Sequence, residues 1–175
     1  MNRRNFTQWV VGMALLKGNA ALAAIPSAYQ RVGRARHVPA DILYAVAMAE
    51  SGSPYQKSQH PWPWALNIAG EGIYCATQQE ALQKALDAIA LDQSIDLGLM
   101  QVSWHWHHQR FQHVSEALVP FNNLNVGAII LREQFELNGD WWKAVGAYHD
   151  PGKDQQSLIQ AEHYRQKVKQ HWEQL

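Results

Sequence analysis

Glu50 is the residue in this sequence whose surroundings most suggest acid chemistry. Leu43, Val46 and Ala47 precede it by seven, four and three positions, so a helix would place all four on one face. A carboxyl on an apolar stripe is expensive to ionise, and desolvation should raise its pKa. A place in the last helical turn, at the negative end of the dipole, pushes the same way. A carboxylic acid kept protonated near neutral pH is what a general acid for glycosidic cleavage requires. The stripe alone is satisfied more often by a Glu that bends to solvent or caps a loop. A second cluster, Trp104-His105-Trp106-His107-His108 with His113 nearby, invites a metal reading, since catalytic zinc uses three protein ligands. However, His105 and His107 have strand spacing that His108 breaks, and no His-Glu-x-x-His pattern is present, so no metal site is expected.

The elements that must position these residues are mainly helical. Pro39 can open a helix that runs from Ala40 to Ser51 and stops at Gly52-Ser53-Pro54. Between His60 and Cys75 the helical pattern breaks at Pro61 and Pro63. Leu66 and Ile68 alternate around Asn67, and Gly70 and Gly72 supply turns, which predicts a small β-hairpin. Thr77 and Glu80 form a capping box ahead of Ala81, Leu82, Ala85, Leu86 and Ile89. A short segment around Gly98 to Trp104 and an irregular His-rich stretch follow. Helices are then expected from Leu124 to Leu137, closed by Asn138-Gly139, from Trp141 to His149, capped by Asp140, and from Gln155 to Trp172.

The chain has 175 residues, enough for one domain with a real core, and 47% are apolar. Its 15 Lys and Arg balance 15 Asp and Glu, so no basic nucleic-acid footprint exists. Eight Trp and nine His stand out. Cys75 has no partner within the chain for a disulfide, and a small buried apolar role suits it. Met1-Asn2-Arg3-Arg4, an apolar-leaning run from Phe6 to Leu16, and Ala21 and Ala23 have the layout of a secretory signal over residues 1–23. The run is too short for a span, which needs roughly 20 residues. Removing Arg3, Arg4 and Lys17 leaves 24–175 as the mature domain, with a net charge of about −3. Export without a disulfide framework points to the periplasm, and no Cys follows the signal to carry a lipid anchor.

In chain order come Glu50-Ser51-Gly52, Gly98-Leu99-Met100-Gln101, Asn123 four residues ahead of Gly127-Ala128, and Ala147-Tyr148. Together they resemble the SLT-type lytic transglycosylases, relatives of goose-type lysozyme, from about His37 to Trp172. The stretches Pro61 to Asn67, Asp96 to Val102 and Gly139 to Val145 are similar to a subgroup encoded with conjugative-transfer and integrating elements. The resemblance implies a mainly α, lysozyme-like single domain with a small β-hairpin lobe. It implies a peptidoglycan glycan strand as partner, proteins of a conjugation or secretion apparatus as further partners, and no cofactor.

Residue by residue, the resemblance makes Glu50 the catalytic acid and Ser51 a residue that helps hold the sugar's substituents. Met100 and Gln101 match the groove wall near the scissile bond, and Asn123 a position that supports the groove by hydrogen bonding. Tyr148 matches a ring whose hydroxyl sits by the catalytic carboxyl. Many members have Asn after that Tyr and Gly two further on, whereas His149, Asp150 and Pro151 follow here; the subgroup shares the His. Trp104 or Trp106 is expected along the glycan groove. Arg165, Lys167 and Lys169 are expected on a solvated helix face.

The implied chemistry uses one carboxyl twice: Glu50 protonates the oxygen between N-acetylmuramic acid and N-acetylglucosamine, then takes the proton of the muramyl C6 hydroxyl as it closes on C1. Hydrolysis would need a second carboxylate. Asp96 is the nearest candidate, although its place before Gly98 equally fits a turn or cap. A hydrolytic muramidase and a non-catalytic glycan-binding scaffold are the alternatives.

Overall fold

The computed structural model describes residues 25–53 and 60–175. The expected leader, and the boundary placed after residue 23, lie outside them. Eight helices occur among the described residues: α1 (Ser27–Arg36), α2 (Ala40–Ser51), α3 (Gln78–Ala90), α4 (Trp104–His107), α5 (Val114–Ala117), α6 (Pro120–Asn138), α7 (Trp141–His149) and α8 (Gln155–Trp172). The start signals operate as read. Pro39 precedes α2 and its carbonyl accepts the Leu43 N–H at 2.9 Å. Thr77 Oγ1 accepts the Glu80 N–H at 3.1 Å, while the Glu80 carboxylate reaches back to the Ala76 N–H at 2.9 Å. Asp140 caps α7 through the Lys143 N–H, and Gly139 closes α6 at φ 68°, the left-handed conformation that a residue without Cβ adopts freely.

Three expectations change. The hairpin is half of a four-stranded antiparallel sheet, β1 (Ala65–Ile68), β2 (Glu71–Tyr74), β3 (Ile95–Leu97) and β4 (Val102–Ser103), in the order β2-β1-β3-β4. Strands of three and two residues are too short to show a period. The His-rich stretch is not irregular, because α4 and a 3₁₀ turn, His108–Arg110, occupy it. Helix α6 begins at Pro120 rather than Leu124, with proline at the first turn, where its missing N–H has no partner to lose.

The apolar residues collect into two clusters. The larger joins α1, α2, α6, α7 and α8, with Leu43, Val46, Leu124, Leu131 and Val145 at its centre. The smaller lies between the sheet and α3, with Leu66, Leu97, Ile95 and Leu118, and Cys75 is buried within it. No helix among the described residues is long and apolar enough to cross a membrane.

Candidate active site

A groove of about 730 Å³ runs along the seam between the two clusters. Glu50, in the last turn of α2, lines it beside Tyr148 and Pro151, with Tyr164 and Lys167 of α8, and Asn67, Asp96, Gln101 and Ser103 from the sheet side. Leu43, Val46 and Ala47 are all buried, so Glu50 does continue an apolar stripe, and the groove is the opening at its end. Burial raises the Glu50 pKa to about 7; a hydrogen bond from Tyr164 and the charge of Lys167 lower it, and Asp96 raises it. The Tyr164 hydroxyl donates to Glu50 Oε1 at 2.6 Å. Burial, with the charge of Glu50, holds that phenol well above its ordinary value, so it remains a donor. Lys167 donates to the carbonyl of Ala49. A carboxyl so placed can give a proton to a ligand in the groove and take one back near neutral pH.

The sheet supplies the opposite wall by simple alternation. Leu66, Leu97 and Val102 pair across β1, β3 and β4 and are buried on one face. The neighbouring row, Asn67 with Asp96 with Ser103, therefore faces the groove. Desolvation raises the Asp96 pKa, opposed by a hydrogen bond from Ser103. Asn67 Nδ2 approaches Asp96 Oδ2 at 3.5 Å, and Asn67 Oδ1 is buried without a partner.

The residues singled out in the sequence divide into two groups. Glu50, Gln101 and Tyr148 line the groove. Gln101 sits at φ 42° and donates from Nε2 to the carbonyls of Gly98 and Ala65 at 2.9 and 3.1 Å, which ties the turn to β1. The Tyr148 hydroxyl, expected beside Glu50, is close enough to feel its charge but donates to the Met100 carbonyl at 2.7 Å. The bond to Glu50 comes from Tyr164 instead.

Ser51, Met100 and Asn123, which the resemblance places at the groove, are each 0% exposed. Ser51 Oγ reaches the carbonyls of Ala47 and Leu99, fastening α2 to the 98–101 turn. Asn123 Oδ1 accepts the Met100 N–H at 2.8 Å, and Nδ2 donates to Leu97 and Ala117 carbonyls at 2.7 and 2.9 Å. At Gly127 an added Cβ would stand 2.5 Å from Met100 Cβ, so the turn rests directly on α6.

Of the two tryptophans expected along the groove, Trp106 lines it and is 70% exposed, whereas Trp104 stacks on Phe111 against the smaller cluster. Among the described residues no three His, Cys, Asp or Glu side chains come together as a metal site. Arg165 pairs with Glu162 at 2.7 Å, Lys169 lies over the Trp142 ring, and Lys167 enters the groove, so the expected solvated face is largely engaged. The His149 ring lies flat on Tyr164, centroids 4.6 Å apart. Tyr164 and Lys167 were missed. Their spacing with Ala161 and Val168 marks them as one face of a helix, but only the long-range packing of α8 on α2 says what that face meets.

Residues 27–170 match the family model for the transglycosylase SLT domain. The invasion proteins IagB of Salmonella typhimurium, from two strains, and of Salmonella typhi are each 36% identical over 113 residues, spanning 61% of this chain and 68% of theirs. No solved structure matches. The chain belongs to the transglycosylase SLT domain family and is a lytic transglycosylase with a lysozyme-like fold that acts on peptidoglycan.

Proposed function

We propose that Glu50 is the acid and then the base of a cleavage between N-acetylmuramic acid and N-acetylglucosamine that leaves a 1,6-anhydro end. Protonated Glu50 gives its proton to the bridging oxygen as the bond from that oxygen to C1 breaks. The resulting carboxylate takes the proton of the muramyl C6 hydroxyl as that oxygen bonds to C1, which restores the enzyme without consuming water. The observation that carries this reading is the Glu50 carboxyl in the groove, bonded by Tyr164 and with a pKa of about 7, where both roles are open to it. Gln101 and Tyr148 act as groove-wall contacts to the sugars. Ser51, Met100 and Asn123 act through the placement of the 98–101 turn.

A second reading has one specific support. Asp96 lines the same groove and is near enough to influence Glu50, so a hydrolytic muramidase with Asp96 assisting water is the alternative. Mass spectrometry of purified peptidoglycan after digestion separates the two. Anhydro ends, one water lighter than reducing ends, should appear with the wild type and vanish with Glu50→Gln, which should still bind glycan. Reducing ends would transfer the reading to the muramidase, and cleavage by Glu50→Gln would overturn the acid.

We place the reaction in the periplasm and read its role as local opening of the wall for an envelope-spanning conjugation, pilus or secretion apparatus. The leader-like start, the family's substrate and the invasion-protein name of the Salmonella relatives support this. A strain carrying only Glu50→Gln should lose transfer through that apparatus; undiminished transfer would refute the role.

A further inference from the structure

Helix α8 sends two side chains one turn apart to two adjacent residues of α2: Tyr164 to the Glu50 carboxyl and Lys167 to the Ala49 carbonyl. The last carbonyls of a helix have no partner inside it, and they form the negative end of its dipole. A cation there both fills an open acceptor and offsets that field. Burial and the dipole favour the protonated form of Glu50, which serves proton donation but opposes the carboxylate that must exist between donation and recovery. The groups facing Glu50 decide how far that carboxylate is tolerated. Tyr148 and His149 come from α7, Asp96 from β3, and Tyr164 and Lys167 from α8. Glu133 of α6 also lines the groove, but its carboxylate is held by Arg110 in a paired bond of 2.9 Å on each oxygen. His149 is pushed below its ordinary value by burial first, so it is neutral at neutral pH. Among the described residues Lys167 is the one Lys or Arg that lines the groove.

We propose that Lys167 is a positioning residue for the reaction: its ammonium fixes the Ala49–Glu50 peptide and holds a positive charge against the Glu50 carboxyl while the proton leaves and returns. The inference rests on Glu50 being the proton donor. Only the charge, and not the hydrogen bond to Ala49 alone, supplies the second half of that role.

The test is the pH profile of kcat/KM on purified peptidoglycan for the wild type, Lys167→Met, Lys167→Gln and Lys167→Arg, in the full chain. Activity depends on protonated Glu50, so it falls on the alkaline side as Glu50 ionises. Without the cation Glu50 keeps its proton to higher pH. The alkaline limb should therefore move up by about half to one pH unit in Met and Gln variants, a shift reduced by the solvent around an exposed lysine stem. Glutamine keeps a donor for the Ala49 carbonyl without the charge, and arginine, keeping the charge, should leave the limb in place. A limb that superimposes on wild type in both Met and Gln variants overturns the proposal, whatever happens to the plateau rate. So does a limb that moves as far with arginine as with methionine. If instead Glu50→Gln remains active, it is the assignment of the acid that fails, which the wild-type and Glu50→Gln pair shows separately.

Discussion

Asn123 is where a substitution remote from the groove should do the most damage. Its side chain reaches both apolar clusters at once, accepting from Met100 of the larger and donating to the carbonyls of Leu97 and Ala117 in the smaller. Asn123→Ala strands one N–H and two carbonyls in a site with no solvent exposure. Each such orphan costs about 1–3 kcal/mol, so about 3–6 kcal/mol in total once partial relaxation is allowed. That is a large share of the 5–15 kcal/mol typical of a domain, and about 10 °C or more in Tm. Chemical and thermal denaturation measure the loss, and cleavage assayed below the melting point should also fall, because the 98–101 turn carries Gln101. Asn123→Asp adds a signature in pH. Its second oxygen faces two carbonyls, so the folded state favours the protonated acid and raises its pKa. Stability is then present below the unfolded value of about 3.9 and is lost as pH rises through the folded value. The alanine variant has no such dependence. A loss under about 1 kcal/mol in Asn123→Ala, or a pH-independent Asn123→Asp, would refute the view that this side chain joins the two clusters.

Tyr164→Phe removes the 2.6 Å bond to Glu50; since that bond favours the carboxylate, the alkaline limb of the wild-type profile, expected near pH 7, should move to higher pH with a lower plateau, and an unmoved limb would dismiss the bond. Gly127→Ala gains up to about 1 kcal/mol of helix propensity but meets Met100 Cβ at 2.5 Å. Overpacking of about 1–3 kcal/mol should win, giving lower stability and weaker cleavage, and a stabilised variant would show that the turn can yield.

Helices were legible where a local punctuation signal marks them: Pro39 before α2, Thr77 before α3 and Asp140 before α7. Glu50 stood out through its apolar stripe and its position at a helix end, both local, but only the four motifs in order singled it out from a Glu bent to solvent. What escaped was non-local. The three-residue β3 pairs with Leu66 and Asn67 of β1, about thirty residues away, and the two-residue β4 in turn pairs only with β3. Tyr164 lies 114 positions from the carboxyl it bonds. Ser51 and Met100 were placed at the groove by the resemblance; each adjoins a groove residue, and a one-residue step along a helix or tight turn sends its side chain into the core.

Glu50 belongs to a helix of the larger cluster, and Asp96 to a sheet that covers the smaller one. The distance between the two carboxyls is therefore fixed by how the clusters sit against each other, and Ser51, Asn123 and Gln101 are the side chains that bind the intervening turn to α2, α6 and β1. A carboxyl pair about 5 Å apart supports a covalent or ion-pair route, and a wider pair admits water, whereas the one-carboxyl route needs neither. In the reading proposed here, the choice between cyclisation and hydrolysis in this groove depends on the buried side chains of Ser51 and Asn123, which hold that turn, as well as on the two acids themselves.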